Sequence, residues 1–264
     1  MISLPELRKI SRDRKLALEL IEKDYTIGWI LFGISSSSLS DELVFKGGTA
    51  LSKVYFPLGW RLSEDLDFTI SERSDLRNIS IKLIEELPGI VEKASGELLL
   101  NFKDKPFINP SYLQVRVQYT GLLGKNTIKI EVSKESFIGD VRKVKVPKTY
   151  DYPEFSILTY TLENILAEKM RSIIERKRIR DYYDVWKLLK VGAIDVKKTK
   201  ELFIKKCETK RITFRDVEQF FPEDIIKTLE AFLRIGLTRL SSEPTPSLKQ
   251  MIEEMKINLT AMFA

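Results

Sequence analysis

The stretch from Leu43 to Ile70, LVFKGGTALSKVYFPLGWRLSEDLDFTI, constrains the fold more than any other part of the chain. Leu43, Val44 and Phe45 make a short apolar run that ends at Gly47-Gly48, the pattern of a strand entering a tight turn. Thr49 is placed to cap a helix that contains Ala50, Leu51, Val54 and Tyr55. Pro57 and Gly59 stop that helix. Asp65 to Ile70 then alternates with period two. As a strand it sets Asp65 and Asp67 on one face, and Leu66, Phe68 and Ile70 on the other. The expected order is strand, glycine turn, helix, strand.

Two carboxylates side by side on a half-buried strand repel each other unless a cation neutralises them. Oxygen ligands at this spacing suit Mg²⁺ or Mn²⁺. The glycine turn offers the complementary half. The backbone N–H groups of Gly47, Gly48 and Thr49 at a helix N-terminus attract an anion, because free donors and the helix dipole act together. A phosphate cradle beside a two-carboxylate metal site is apparatus for nucleotide chemistry.

Composition removes several other chemistries. There is no histidine in the 264 residues and one cysteine, Cys207. Ser-His-Asp and Cys-His catalysis, histidine-ligated zinc and an intrachain disulfide are excluded. Acid–base work falls to carboxylates, lysine, tyrosine or metal-bound water. The net charge of +6 and pI of 9.1 favour a polyanionic partner. No apolar run approaches the ~18 residues of a membrane span, and no signal peptide is visible, so a reducing cytoplasm is expected.

The string Phe45-Lys46-Gly47-Gly48-Thr49-Ala50-Leu51-Ser52, followed by Arg61-Leu62-Ser63-Glu64-Asp65-Leu66-Asp67, resembles the nucleotidyltransferase superfamily that includes DNA polymerase beta. Within it, the string is similar to the AbiEii/AbiGii toxin-type branch, where an Arg-x-Ser-Glu-Asp segment precedes the second acid. Glu22-Lys23-Asp24-Tyr25 also resembles a segment of that branch, although by itself it reads as a solvated turn. Ala167-Glu168-Lys169-Met170-Arg171 with Arg180-Asp181-Tyr182-Tyr183-Asp184 is similar to the branch's fourth motif. There a lysine and a downstream aspartate are functional. The lysine is Lys169; the aspartate is Asp181 or Asp184, and the sequence leaves both open.

The resemblance implies a metal-dependent nucleotidyltransferase, the toxin half of an abortive-infection or toxin–antitoxin pair with its antitoxin encoded nearby. A nucleoside triphosphate would give up its monophosphate to an acceptor hydroxyl, possibly a tRNA 3′ end as in some members. Asp65, Asp67 and a third acid would bind Mg²⁺ or Mn²⁺. Lys46, Gly47, Gly48, Thr49, Arg61, Ser63, Lys169 and Arg180 would hold the nucleotide. Lys169 would act as a point charge on the triphosphate, and Asp181 or Asp184 would take or orient the acceptor proton. For the third acid Glu131 is the choice. Taken alone it is a surface glutamate on an exposed strand; beside Asp65, Asp67 and the resemblance it is preferred to Asp140 and Asp151. Transfer to a protein side chain and a non-catalytic nucleotide- or nucleic-acid-binding module are the alternatives.

The rest of the chain supplies the frame. Residues 5–24 read as an amphipathic helix, with a second reaching about Ile34. Leu76 to Leu87 is helical and Pro88-Gly89 breaks it. Strands follow at Glu97–Phe102, Tyr112–Tyr119 and Thr127–Val132, the last two forming a hairpin around Gly121 and Gly124. Val141 to Lys148 is a basic strand or loop. Beyond Tyr150–Phe155 the chain turns helical, and Lys169, Arg176 and Arg180 share one sector of a basic helix over Arg171–Arg180 that would suit an RNA backbone. Phe203, Phe214, Phe220 and Phe221 read as core. The expected fold is α/β (α+β): a nucleotidyltransferase-type mixed sheet flanked by helices over 1–152, and a helical lobe over 153–264, with the nucleotide in the cleft between them.

Overall fold

The computed structural model describes residues 2–264. Ser3 and Glu6 cap α1 (Leu4–Arg14) reciprocally: each side chain accepts from the other's amide. Lys15 turns left-handed at φ 52° and ends the helix. α2 (Leu18–Ser35) follows. The single helix expected over 5–24 is therefore two, divided near Lys15 and not at Glu22-Lys23-Asp24-Tyr25. Glu22, Asp24 and Tyr25, expected in a solvated turn, are buried inside α2. Buried apolar residues stand on both sides of the charged segment, Leu20 and Ile21 before it and Ile27 and Ile30 after it, so the helix continues, and its acids find partners elsewhere in the fold. Glu22 accepts from the Leu123 amide at 2.7 Å, and Asp24 pairs with Lys53 at 2.7 Å.

β1 (Val44–Lys46) enters α3 (Gly47–Ala50). A π-turn over Leu51–Tyr55 extends α3, closed by the Phe56 amide on the Leu51 carbonyl at 2.8 Å. Thr49 is not the cap expected of it. The cap position is Lys46, and Thr49 lies within α3, its hydroxyl donating to the Asp65 carbonyl. β2 (Asp65–Ser71) comes next, then α4 (Leu76–Ser95). α4 passes through Pro88, where a break was expected, and ends at Gly96 with φ 80°. Proline removes one amide donor, yet Ile79, Leu83, Leu87 and Val91 form one buried stripe on both sides of it. That continuous burial holds the helix across the defect.

Six more strands complete the sheet: β3 (Leu99–Asn101), β4 (Phe107–Asn109), β5 (Tyr112–Gly121), β6 (Gly124–Glu135), β7 (Val141–Lys145) and, after a loop, β8 (Ser156–Tyr160). Among the described residues the sheet has eight strands in the order β3-β5-β6-β2-β1-β8-β7, with β4 on β5. It is mixed: β5 and β6 form the expected antiparallel hairpin, β2 runs parallel to β6, β1 antiparallel to β2, and β8 parallel to β1. Leu66, Phe68, Ile70, Leu113, Val115, Val117, Ile128, Ile130 and Val132 are buried. Tyr25, Trp29 and Phe32 of α2 make edge-to-face ring contacts with Tyr150, Tyr152 and Phe155, so that aromatic segment is packed core.

The chain divides into two compact units. The first runs to Ile138 and includes Arg142–Thr159; the second comprises Gly139–Val141 and Tyr160–Ala264. The second unit is helical. Thr161 caps α5 (Leu162–Arg176) by accepting from the Asn164 amide. α6 (Ile179–Leu188), α7 (Val196–Thr209), α8 (Ile225–Gly236) and α9 (Leu248–Phe263) follow. Phe203, Phe214, Phe220 and Phe263 meet in one ring cluster. The basic helix expected over Arg171–Arg180 does not form. Lys177 adopts φ 47° and closes α5, so Arg180 belongs to α6 and shares no face with Lys169. Apolar residues explain the break: Ile173 and Ile179 both reach the core only if the chain turns between them.

Candidate active site

The glycine turn and the two aspartates meet in the first unit. Gly47 has φ +77°, a left-handed conformation that L side chains rarely adopt. A methyl at Gly47 would collide with the Asp67 carboxylate. A methyl at Gly48 would stand 2.7 Å from Nη2 of Arg61. The two missing side chains thus let an acid and a base approach the turn backbone. Arg61 is 2% exposed and donates to the Leu62 carbonyl at 3.2 Å. Lys46 and Thr49 are buried, and Ser63 is half-buried in the loop leading into β2. The Thr49 hydroxyl ties the turn to the start of β2 at Asp65.

Period-two alternation does what the sequence implied. Leu66 and Phe68 are buried while Asp65 and Asp67 are part-exposed. Register then adds the neighbouring strand. Asp67 lies opposite Glu131 and Asp65 opposite Lys129 in the parallel β2–β6 pair. The three expected acids therefore share one face of adjacent strands, which stand roughly 4.8 Å apart. Lys129 interposes: its Nζ is 3.2 Å from Glu131 Oε2 and 3.7 Å from Asp65 Oδ2. Tyr112 on β5 donates its phenol to Glu131 Oε1. Burial raises the Tyr112 phenol above its ordinary value, and the Glu131 hydrogen bond with the charges of Glu131, Asp67 and Asp65 raises it further. The phenol stays protonated as a donor.

Among the described residues no group of three or more acids, cysteines or histidines is gathered tightly enough to form a ligand set as it stands. The donors nevertheless suit a hard divalent ion: all are carboxylates, all lie on one face, and one abuts the glycine turn. Sequence reading put Lys129 on the same polar side of its strand but gave it no role, and passed over Tyr112. Only cross-strand register reveals either.

The fourth-motif residues meet in the second unit. Lys169 Nζ is 2.8 Å from Asp181 Oδ1 and 2.9 Å from Asp184 Oδ2. Both aspartates that the sequence left open are therefore partners of the same lysine. Arg176 adds Nε at 2.9 Å to Asp181 Oδ2. Lys169, Asp181 and Asp184 are all buried. Burial opposes ionisation of Asp181, but the charges of Lys169 and Arg176 outweigh it and hold the carboxyl at about 2. Lys169 and Arg176 meet Asp181 and Asp184 in this cluster. Arg180 is not part of it; its Nε donates to the Gly236 carbonyl at 3.0 Å.

A family model described as the nucleotidyl transferase AbiEii toxin of type IV toxin–antitoxin systems matches residues 29–258. No curated protein matches the chain. Among solved structures, MenT4, a nucleotidyltransferase toxin from Mycobacterium tuberculosis H37Rv, aligns with TM-score 0.71 and 20% identity over 100% of this chain and 89% of its own. JHP933 from Helicobacter pylori aligns with TM-score 0.51 and 19% identity, over 94% and 91%. At these identities the likeness is one of fold.

Proposed function

The chain belongs to the AbiEii nucleotidyl transferase toxin family and is a nucleotidyltransferase, and we propose that it transfers a nucleoside monophosphate from a triphosphate to the 3′-terminal hydroxyl of tRNA, with pyrophosphate leaving. Type IV membership implies a nucleoside triphosphate substrate and a cognate antitoxin. Nucleotidyltransferase toxins generally use divalent metal ions. Among the described residues no helix is long and apolar enough to cross a membrane.

One observation carries the reading: the Asp67 carboxylate lies against Gly47, so the acid face and the phosphate-type turn are one place. Asp65, Asp67 and Glu131 would hold Mg²⁺ or Mn²⁺, an ion that neutralises the entering and leaving oxygens of an in-line phosphoryl displacement. The amides of Gly47, Gly48 and Thr49 donate to the β- and γ-phosphates. Lys46, Ser63 and Arg61 bind around that turn. Lys169, held by buried carboxylates, keeps a fixed positive charge for phosphate. Asp181 and Asp184 are both partners of Lys169, and either would take or orient the acceptor proton. The net charge of +6 favours an RNA acceptor.

The test is incubation with each labelled nucleoside triphosphate, Mg²⁺ and total tRNA. Label should appear on RNA and vanish in an Asp65→Ala/Asp67→Ala variant whose circular dichroism is unchanged. Unlabelled RNA removes the tRNA acceptor, and label on protein moves the transfer to a side chain.

A further inference from the structure

One cation already stands on the acid face. Lys129 reaches Glu131 Oε2 and Asp65 Oδ2 at 3.2 and 3.7 Å, while the other Glu131 oxygen accepts from Tyr112. Both oxygens of the third acid are thus engaged. The ammonium is within hydrogen-bond distance of Glu131 and makes a longer ion pair with Asp65. A divalent ion needs several of the same oxygens at once, at roughly 2.0 to 2.6 Å. The two cannot share the place, because a single and a double positive charge a few ångströms apart repel strongly in a part-buried site.

The backbone register brings these residues together. The β2–β6 register pairs Asp65 with Lys129 and Asp67 with Glu131. Ile128 and Ile130 are fully buried on the other side and fix the strand. The Lys129 side chain is 32% exposed, and its four-carbon stem can swing without unpacking the core.

We infer that Lys129 is a competing cation for the divalent ion: it draws Asp65 and Glu131 together when no ion is bound, and it must leave for an ion to enter. The ammonium then has a new partner only when a triphosphate arrives. Ion loading is weak alone and strong together with the nucleotide. This rests on the assignment of Asp65, Asp67 and Glu131 as the ion's ligands.

The experiment is a Mn²⁺ titration without nucleotide, read from the electron paramagnetic resonance signal of free Mn²⁺. It compares the parent chain with Lys129→Met, Lys129→Arg and Asp65→Ala/Asp67→Ala. Lys129→Met should bind Mn²⁺ at least about tenfold more tightly than the parent. Lys129→Arg, which keeps the charge, should bind like the parent. Equal or weaker binding by Lys129→Met overturns the inference. The aspartate variant separates the two levels: if it binds Mn²⁺ as the parent does, the ligand assignment itself has failed.

Discussion

Asp24→Asn is the perturbation that most sharply tests how the glycine turn is supported. Lys53 lies on the π-turn that continues α3, with its side chain 2% exposed. Its Nζ meets the Asp24 carboxylate at 2.7 Å and the Asp24 carbonyl at 2.6 Å. Tyr150 donates to the other Asp24 oxygen at 2.7 Å, and Arg14 stands 3.6 Å from it. The amide keeps the shape and removes the charge, leaving a buried ammonium without its counter-ion. Breaking a buried pair in this way costs about 3–5 kcal/mol. For a unit of this size each kcal/mol is worth roughly 2–4 °C, so the first unit's transition should fall by about 6–20 °C.

Differential scanning calorimetry is the suitable assay, since two compact units need not unfold together. The double variant Asp24→Leu/Lys53→Met should recover part of the loss, because it removes the stranded ammonium but leaves Arg14 and Tyr150 without their Asp24 partner. Burial lowers the Lys53 pKa, with Asp24 opposing the shift. The unfolded chain therefore binds the extra proton, and stability rises as pH climbs toward the ordinary lysine value of 10.5. Without Asp24 that rise should steepen. A loss under about 1 kcal/mol, or a double variant as unstable as the worse single one, would refute the argument.

Gly47→Ala should lower stability by roughly 1–2 kcal/mol through its left-handed backbone, and its collision with Asp67 should abolish nucleotide transfer in the labelling assay. Asp181 is held at about 2 against an ordinary 3.8; its depressed value contributes roughly 2 kcal/mol above pH ~4 that is lost as pH falls toward ~2, and Asp181→Asn should flatten that part of a thermal-stability profile. Burial pushes the Cys207 thiol up to about 11. A thiol reagent at pH 8 should modify it slowly in the native protein and quickly in urea; fast native reaction would contradict its packing. Tyr112→Phe removes the donor to Glu131 and should weaken Mn²⁺ binding or transfer without a large change in thermal stability.

What local pattern controls was legible. The alternation of Asp65 to Ile70 became β2, and Gly121 and Gly124 closed the β5–β6 hairpin. The family and the mixed sheet followed from the resemblance that the motifs carry, and the helical second part from apolar spacing. Boundaries that depend on burial did not follow. Pro88 reads as a stop, Glu22 to Tyr25 as a turn, and Arg171 to Arg180 as one helix, because a window of sequence does not show which apolar stripe continues into the core.

The amino-acid order by itself placed Asp65 and Asp67 on one face, put a glycine turn before a helix, and set Lys169 upstream of two aspartates. Those are consequences of backbone period and of steric freedom, which act within a few residues. Tertiary structure alone decided which charges meet: Lys129 beside Asp65, Tyr112 on Glu131, Lys53 on Asp24, and both aspartates on Lys169. Electrostatic pairing depends on distance through space, and strand register and helix packing set that distance between residues far apart in the chain.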